Sequence, residues 1–176
     1  MTKPTSIPLL PPTKDEKRRD AIVQFLKSLR DEIIKSFESF ESEARFQRKP
    51  WSHHGGGGGE ISVLRGEIFE KAAVNWSGVA GASFPMKDGS GPFFATGVSL
   101  ITHMANPHAP TVHMNIRYIE TEQGSWFGGG FDLTPMGFPY AEDTEHFHGV
   151  AQRVLQPFGE DLYSKFSQTA REYFYI

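Results

Sequence analysis

The chain of 176 residues contains no cysteine. That excludes disulfides, thiolate nucleophiles, zinc–thiolate centres and haem attached through cysteine. It fits a reducing compartment. No apolar run approaches the length that crosses a bilayer as a helix. The opening stretch, "MTKPTSIPLLPPTKDEKRRD", lacks the apolar segment of a secretory signal, and its prolines disfavour a presequence helix. A cytoplasmic protein with no transmembrane segment is expected. A large excess of either charge is also lacking: a net charge of −3 gives no electrostatic reason to bind nucleic acid.

Aromatic residues are plentiful, with fifteen Phe, five Tyr and three Trp. They fill a core, and they also line pockets for flat apolar ligands. The length suits one compact domain. Residues 1–13 are Pro-rich and read as a mobile leader, leaving 14–176 as a single domain. From Lys14 the pattern is helical, with Ile22, Leu26, Leu29, Ile33, Phe37 and Phe40 on one stripe. "RKPWSHHGGGGGE" ends it, and its glycines read as a flexible or substrate-covering loop carrying His53 and His54.

"EISVLRGEIF", "PFFATGVSLITHM", "TVHMNIRYIET" and "GSWFGGGFDLTP" read as strands. "EKAAVNWSGVAGASFPMKDGSGP" reads as a loop with a short helical turn. Two helical stripes close the chain, one of Phe147, Val150, Ala151, Val154 and Leu155, the other of Leu162, Phe166, Ala170 and Tyr173, broken at "QPFGED". The fold class is α+β, an antiparallel β-sheet flanked by α-helices.

Alternation in "TVHMNIRYI" puts His113, Asn115 and Arg117 on one face, and in "FATGVSLITH" it puts Ser99, Ile101 and His103 on one face. A hairpin around "MANPHAP" that sets His103 opposite Thr111 brings these polar residues together, with Ser99 opposite Asn115. A one-residue slip would separate them. His108 is loop structure. In "WFGGGFD", Asp132 shares parity with Gly128 and Gly130. Three glycines inside a strand read first as a bulge or bend, and otherwise as a flat slot with Asp132 at its end.

The spacing matches no compact metal motif. In "HFH", if helical, His146 and His148 point about 200° apart, so at most one serves a given site. "GGGGGE" lacks the Gly-Lys-Ser/Thr ending of a phosphate loop, and no Gly-x-Ser-x-Gly elbow is present. What remains is a face with a carboxylate, an arginine, histidines and amide or hydroxyl groups. Arginine binds carboxylates bidentately, and a carboxylate can accept N–H donors or act as a base. Together they suit a flat, anionic, hydrogen-bond-donating ligand.

"GGGGGEISVLRGEIFEKAAVNWSGVAG", "GVSLITHMANPHAPTVHMNIRY", "WFGGGFDLTP", "EDTEHFHGVAQ" and "FGEDLYSKF" closely resemble oxygen-dependent coproporphyrinogen III oxidase, from about Trp51 onward. The resemblance implies oxidative decarboxylation of two coproporphyrinogen III propionates to vinyls, giving protoporphyrinogen IX in haem biosynthesis. Molecular oxygen is the co-substrate, and no organic cofactor is needed. By the same resemblance His113 is the proton donor. Ser99, Asn115 and Arg117 bind the tetrapyrrole substrate, Arg117 through a propionate. Asp132 holds the pyrrole N–H groups and assists their deprotonation. A divalent metal cation would take His103, His113 and His148, and the protein would be a homodimer. In the resembled family the chain continues past "YFYI", so an incomplete copy of the coproporphyrinogen oxidase fold is expected, with an unpaired sheet edge. The alternatives are a catalytically inactive tetrapyrrole-binding protein and a divalent metal-binding protein.

Overall fold

A computed structural model of the chain describes residues 16–84 and 91–175. The expected Pro-rich leader lies outside the described residues. Two compact units are formed, one through Thr134 and one from Pro135, and each is described by itself. The first holds helix α1 (Glu16–Glu38) and strands β1 (Gln47–Ser52), β2 (Gly57–Leu64), β3 (Phe69–Gly81), β4 (Phe93–Met104), β5 (Thr111–Thr121) and β6 (Gly124–Thr134). The six strands form one antiparallel sheet in chain order. The second unit holds α2 (Ala141–Leu155), a short 3₁₀ turn (Gln156–Phe158) and α3 (Leu162–Phe174). The architecture is α+β, as the patterning predicts.

The sheet has two unlike faces because its side chains alternate. Leu64, Ala72, Val74, Val98 and Leu100 point to one face, where they meet Leu26 and Ile34 of α1 in the buried core. Ala72 is fully buried, and a larger side chain there would hold the helix off the strand. Burying Leu26 and Ile34 contributes about 1.5–3 kcal/mol each. Charged ties on the same side orient the helix. Arg19 donates from Nε and Nη2 to Glu120 at 3.2 and 2.8 Å, and Arg30 Nη1 reaches Glu60 at 3.0 Å. Buried pairs of this kind are weak evidence for net stability, because desolvation offsets the attraction. Apolar burial therefore holds α1 in place, and the ion pairs select its setting on the sheet.

Three readings of the sequence need correction. The stretch expected as a loop with a helical turn belongs, from Glu70 to Gly81, to the thirteen-residue strand β3. Its Ala- and Gly-rich composition is poor in β-formers, but β3 is paired with β2 on one side and β4 on the other. Pairing on both edges and the cover of α1 outweigh local propensity. The remainder of that stretch includes residues 85–90, which lie outside the described residues. Likewise "EISVLRGEIF" is not one strand: β2 ends at Leu64 and β3 starts at Phe69. The glycine run is also no free loop, since Gly57, Gly58 and Gly59 open β2 and pair with β3.

The turn between β2 and β3 is organised by one carboxylate. Glu41, just past α1, accepts the backbone N–H groups of Glu67, Ile68 and Phe69 at 2.9, 3.0 and 2.8 Å. A side chain on Gly66 would start about 2.4 Å from that carboxylate, so only glycine leaves it room. The Phe69 N–H lowers the Glu41 pKa most; burial opposes it, and the Glu67 and Ile68 N–H groups add to the lowering.

In the second unit, Glu142 and Asp143 lie in the first turn of α2, where acidic groups suit the helix dipole. Pro157 in the 3₁₀ turn accompanies the break expected at "QPFGED". His148 on α2 lies 3.0 Å, Nδ1 to hydroxyl, from Tyr163 on α3.

A carboxyl titrating lower in the folded chain adds stability that is complete above its ordinary value, 4.5, and is lost as pH falls through the folded value. Glu41→Gln should therefore lower unfolding stability most at neutral pH, and the gap from the wild type should close on acidification below that value. Urea unfolding across the acid range checks this. A gap of constant size would refute the ionic role.

Candidate active site

β5 and β6 pair without interruption from Thr111↔Thr134 to Thr121↔Gly124. The bulge expected at the three glycines is absent, and the strand stays regular. This register sets His113 opposite Asp132, Asn115 opposite Gly130 and Arg117 opposite Gly128. On the other side of β5, Ile101 faces His113, Ser99 faces Asn115 and Gly97 faces Arg117. The hairpin register inferred from the loop is thus the one adopted. His103 shares the parity of Ser99 and lies one residue beyond the last β4–β5 pair, with Lys71 as its partner on β3.

All of these residues occupy the face opposite the α1 core. Strands about 4.8 Å apart and alternate residues about 6.8 Å apart make it a grid of side chains. His113 and Asp132 are joined, Nδ1 to Oδ2, at 2.9 Å, with side chains 38% and 47% exposed. An ionised carboxylate only accepts, so Nδ1 carries the hydrogen and Nε2 is left for a ligand. Thr134 Oγ1 donates to the other Asp132 oxygen at 3.4 Å. Arg117 is exposed, and a Cβ on Gly97 would start about 3.2 Å from its Cγ, so the arginine stem lies across that glycine.

The glycines of β6 divide by face. A Cβ on Gly128 or Gly130 would meet no atom within 4 Å, whereas one on Gly129 would meet Asn115 O at about 2.3 Å. Gly128 and Gly130 therefore form a bare floor beside Arg117, Asn115 and the His113–Asp132 pair. A flat ligand can approach the backbone there, and its N–H groups would find an acceptor in Asp132.

The other expected residues are placed less centrally. His53 and His54 sit in the β1–β2 turn, where His53 Nδ1 accepts the Gly55 N–H at 3.2 Å. His108 is exposed in the β4–β5 loop, as expected. His148 belongs to the helical unit. Among the described residues no group of three or more His, Cys, Asp or Glu is placed to hold a metal ion. The sequence reading missed part of the face. Asn75 pairs with Ser99, and Ser77 with Gly97, so β3 extends the polar grid by one strand. The alternation Ala73–Asn75–Ser77 carries that signal once the segment is recognised as a strand.

Comparison with known proteins gives a family model described as coproporphyrinogen III oxidase, matching residues 21–176. The chain is 39% identical to an oxygen-dependent coproporphyrinogen-III oxidase of Rickettsia bellii (strain OSU 85-389), over 92% of this chain and 63% of that protein. It is 40% identical to the protein of the same name from Synechococcus sp. (strain CC9605), over 95% of this chain and 47% of that protein. The chain thus spans about half to just under two thirds of these curated relatives.

The bare floor makes a prediction about stability. Gly128→Ala and Gly130→Ala should leave it unchanged or raise it by up to about 1 kcal/mol. Gly97→Ala and Gly129→Ala should each cost about 1–3 kcal/mol, since the new methyl meets a backbone carbonyl. Urea unfolding of the four variants tests the division, and equal effects would mean that the floor is not open.

Proposed function

Because the chain belongs to the coproporphyrinogen III oxidase family, we propose that its bare sheet face binds coproporphyrinogen III and supports oxygen-dependent conversion of propionate side chains to vinyls. The observation that carries it is the 2.9 Å His113–Asp132 pair beside the Gly128–Gly130 floor. The floor admits a flat macrocycle, and Asp132 at its end accepts pyrrole N–H groups. Arg117 takes a propionate as a bidentate partner, with Ser99 and Asn115 adding hydrogen bonds.

For each side chain, –CH2CH2COO⁻, O2 and H⁺ become –CH=CH2, CO2 and H2O2. Two electrons pass from the substrate to oxygen, one hydrogen leaves the carbon next to the ring as a proton, and the carboxyl carbon leaves as CO2. The reduced tetrapyrrole is electron-rich and supplies those electrons itself, which removes the usual need for an organic cofactor. Asp132 accepts a pyrrole proton and raises the electron density of that ring. His113 delivers the second proton required to complete hydrogen peroxide, and its Nδ1–H bond to Asp132 couples the two groups.

The divalent metal suggested by the resemblance would need His103, His113 and His148 around one ion. The described residues present no such group, so no step is assigned to it. A cytoplasmic location and a homodimer belong to the same proposal and rest on the family resemblance. Among the described residues no helix is long and apolar enough to cross a membrane.

Two substitutions test the division of roles. Asp132→Asn should leave coproporphyrin III affinity within about twofold while aerobic turnover falls about 10²–10⁴-fold. Arg117→Ala should weaken that affinity by about tenfold or more. Normal turnover in the Asn variant would remove Asp132 from the chemistry. Unchanged affinity in the Ala variant would remove Arg117 from the binding site.

A further inference from the structure

The β2–β3 ladder contains an irregularity that the proposed chemistry does not use. Pairing runs from Gly57↔Val79 to Glu60↔Trp76 and resumes at Val63↔Ala73, leaving Ile61 and Ser62 without a Cα partner on β3. In that gap the Ser62 N–H donates to the side-chain oxygen of Asn75, at 3.1 Å. A backbone N–H can be met only by the oxygen end of an amide, so this bond fixes which end is which. Asn75 Oδ1 is held by β2, and its Nδ2 has no hydrogen-bond partner among the described residues.

Asn75 is also in register with the site. It pairs with Ser99, which pairs with Asn115, which pairs with Gly130. One row of the face thus reads Asn75, Ser99, Asn115, Gly130 from β3 to β6. Spacing of about 4.8 Å per strand puts Asn75 about 14 Å from the β6 floor. A macrocycle centred over β5 and β6 carries its acidic arms outward, and those on the β4 side pass toward this row. Arg117 stands one row away, too far along the strand to serve every arm at once.

On the premise that this face is the tetrapyrrole site, we propose that Asn75 is a further substrate-binding residue whose Nδ2 donates to a peripheral carboxylate, with the Ser99 hydroxyl as its neighbour. The Ser62 bond holds the amide in one orientation, so little rotamer freedom is lost when the ligand arrives. An acid at this position would repel the arm it is meant to hold, and an amide supplies a donor without a competing charge.

The chemistry of the amide permits a clean test. Asn75→Asp keeps an acceptor for the Ser62 N–H and removes the donor. Binding of coproporphyrin III and of its tetramethyl ester to the intact chain would be followed by absorbance and fluorescence quenching, with hydrogen exchange at Ser62 as the control for local structure. Affinity for the free acid should fall about tenfold or more, affinity for the ester should change less than twofold, and Ser62 protection should persist. Equal affinity of the wild type and Asn75→Asp for the free acid would overturn the role of Asn75 and leave the site itself standing. Equal losses for acid and ester would also overturn it, because the contact would not be with a carboxylate. If the wild-type chain binds neither porphyrin, the tetrapyrrole site is refuted and this residue's role with it.

Discussion

The pairing of β5 with its two neighbours is the constraint from which the rest of the structure follows. In a sheet, moving one strand by a single residue exchanges its faces. Such a slip of β5 would turn His113, Asn115 and Arg117 toward α1 and expose Val112, Met114 and Ile116, which now pack against the core. The apolar half of β5 therefore enforces the position of its polar half. Asp132 and the bare glycines reach the same face only because β6 continues that register unbroken.

The two faces of the sheet divide the labour. One buries Leu64, Val74, Val98 and Leu100 under α1 and is pinned by Arg19–Glu120 and Arg30–Glu60. Because stability is concentrated there, the opposite face can carry exposed glycines, a half-exposed His113–Asp132 hydrogen bond and an exposed arginine without the fold depending on them. Glu41 adds a local anchor, joining the end of α1 to the turn that starts β3. Since β3 sits between β2 and β4, that anchor also bears on the strand carrying Asn75.

Much of the site was legible in the sequence because strand alternation is a strong local signal. "TVHMNIRYI" separates its polar and apolar residues without ambiguity, and a loop rich in proline and asparagine limits where the hairpin can turn. β3 was not legible, for an identifiable reason. Ala72 packs in the core with a helix distant in sequence, and the strand is paired on both edges, neither of which local propensity reports. Losing β3 also hid Asn75, whose parity means nothing until the segment is known to be extended. The glycines of β6 misled in another way: a bulge and a bare floor share one composition, and only the pairing distinguishes them.

The reaction proposed for this face is turnover of a reduced tetrapyrrole with oxygen. Its most direct measurement is product stoichiometry: coproporphyrinogen III is incubated with the protein in air and under anaerobic conditions, with vinyl product, CO2 and H2O2 quantified together. That reaction yields one CO2 and one H2O2 for each vinyl formed in air, and no vinyl without oxygen. Vinyl formation that persists anaerobically, or its absence in air, would contradict it.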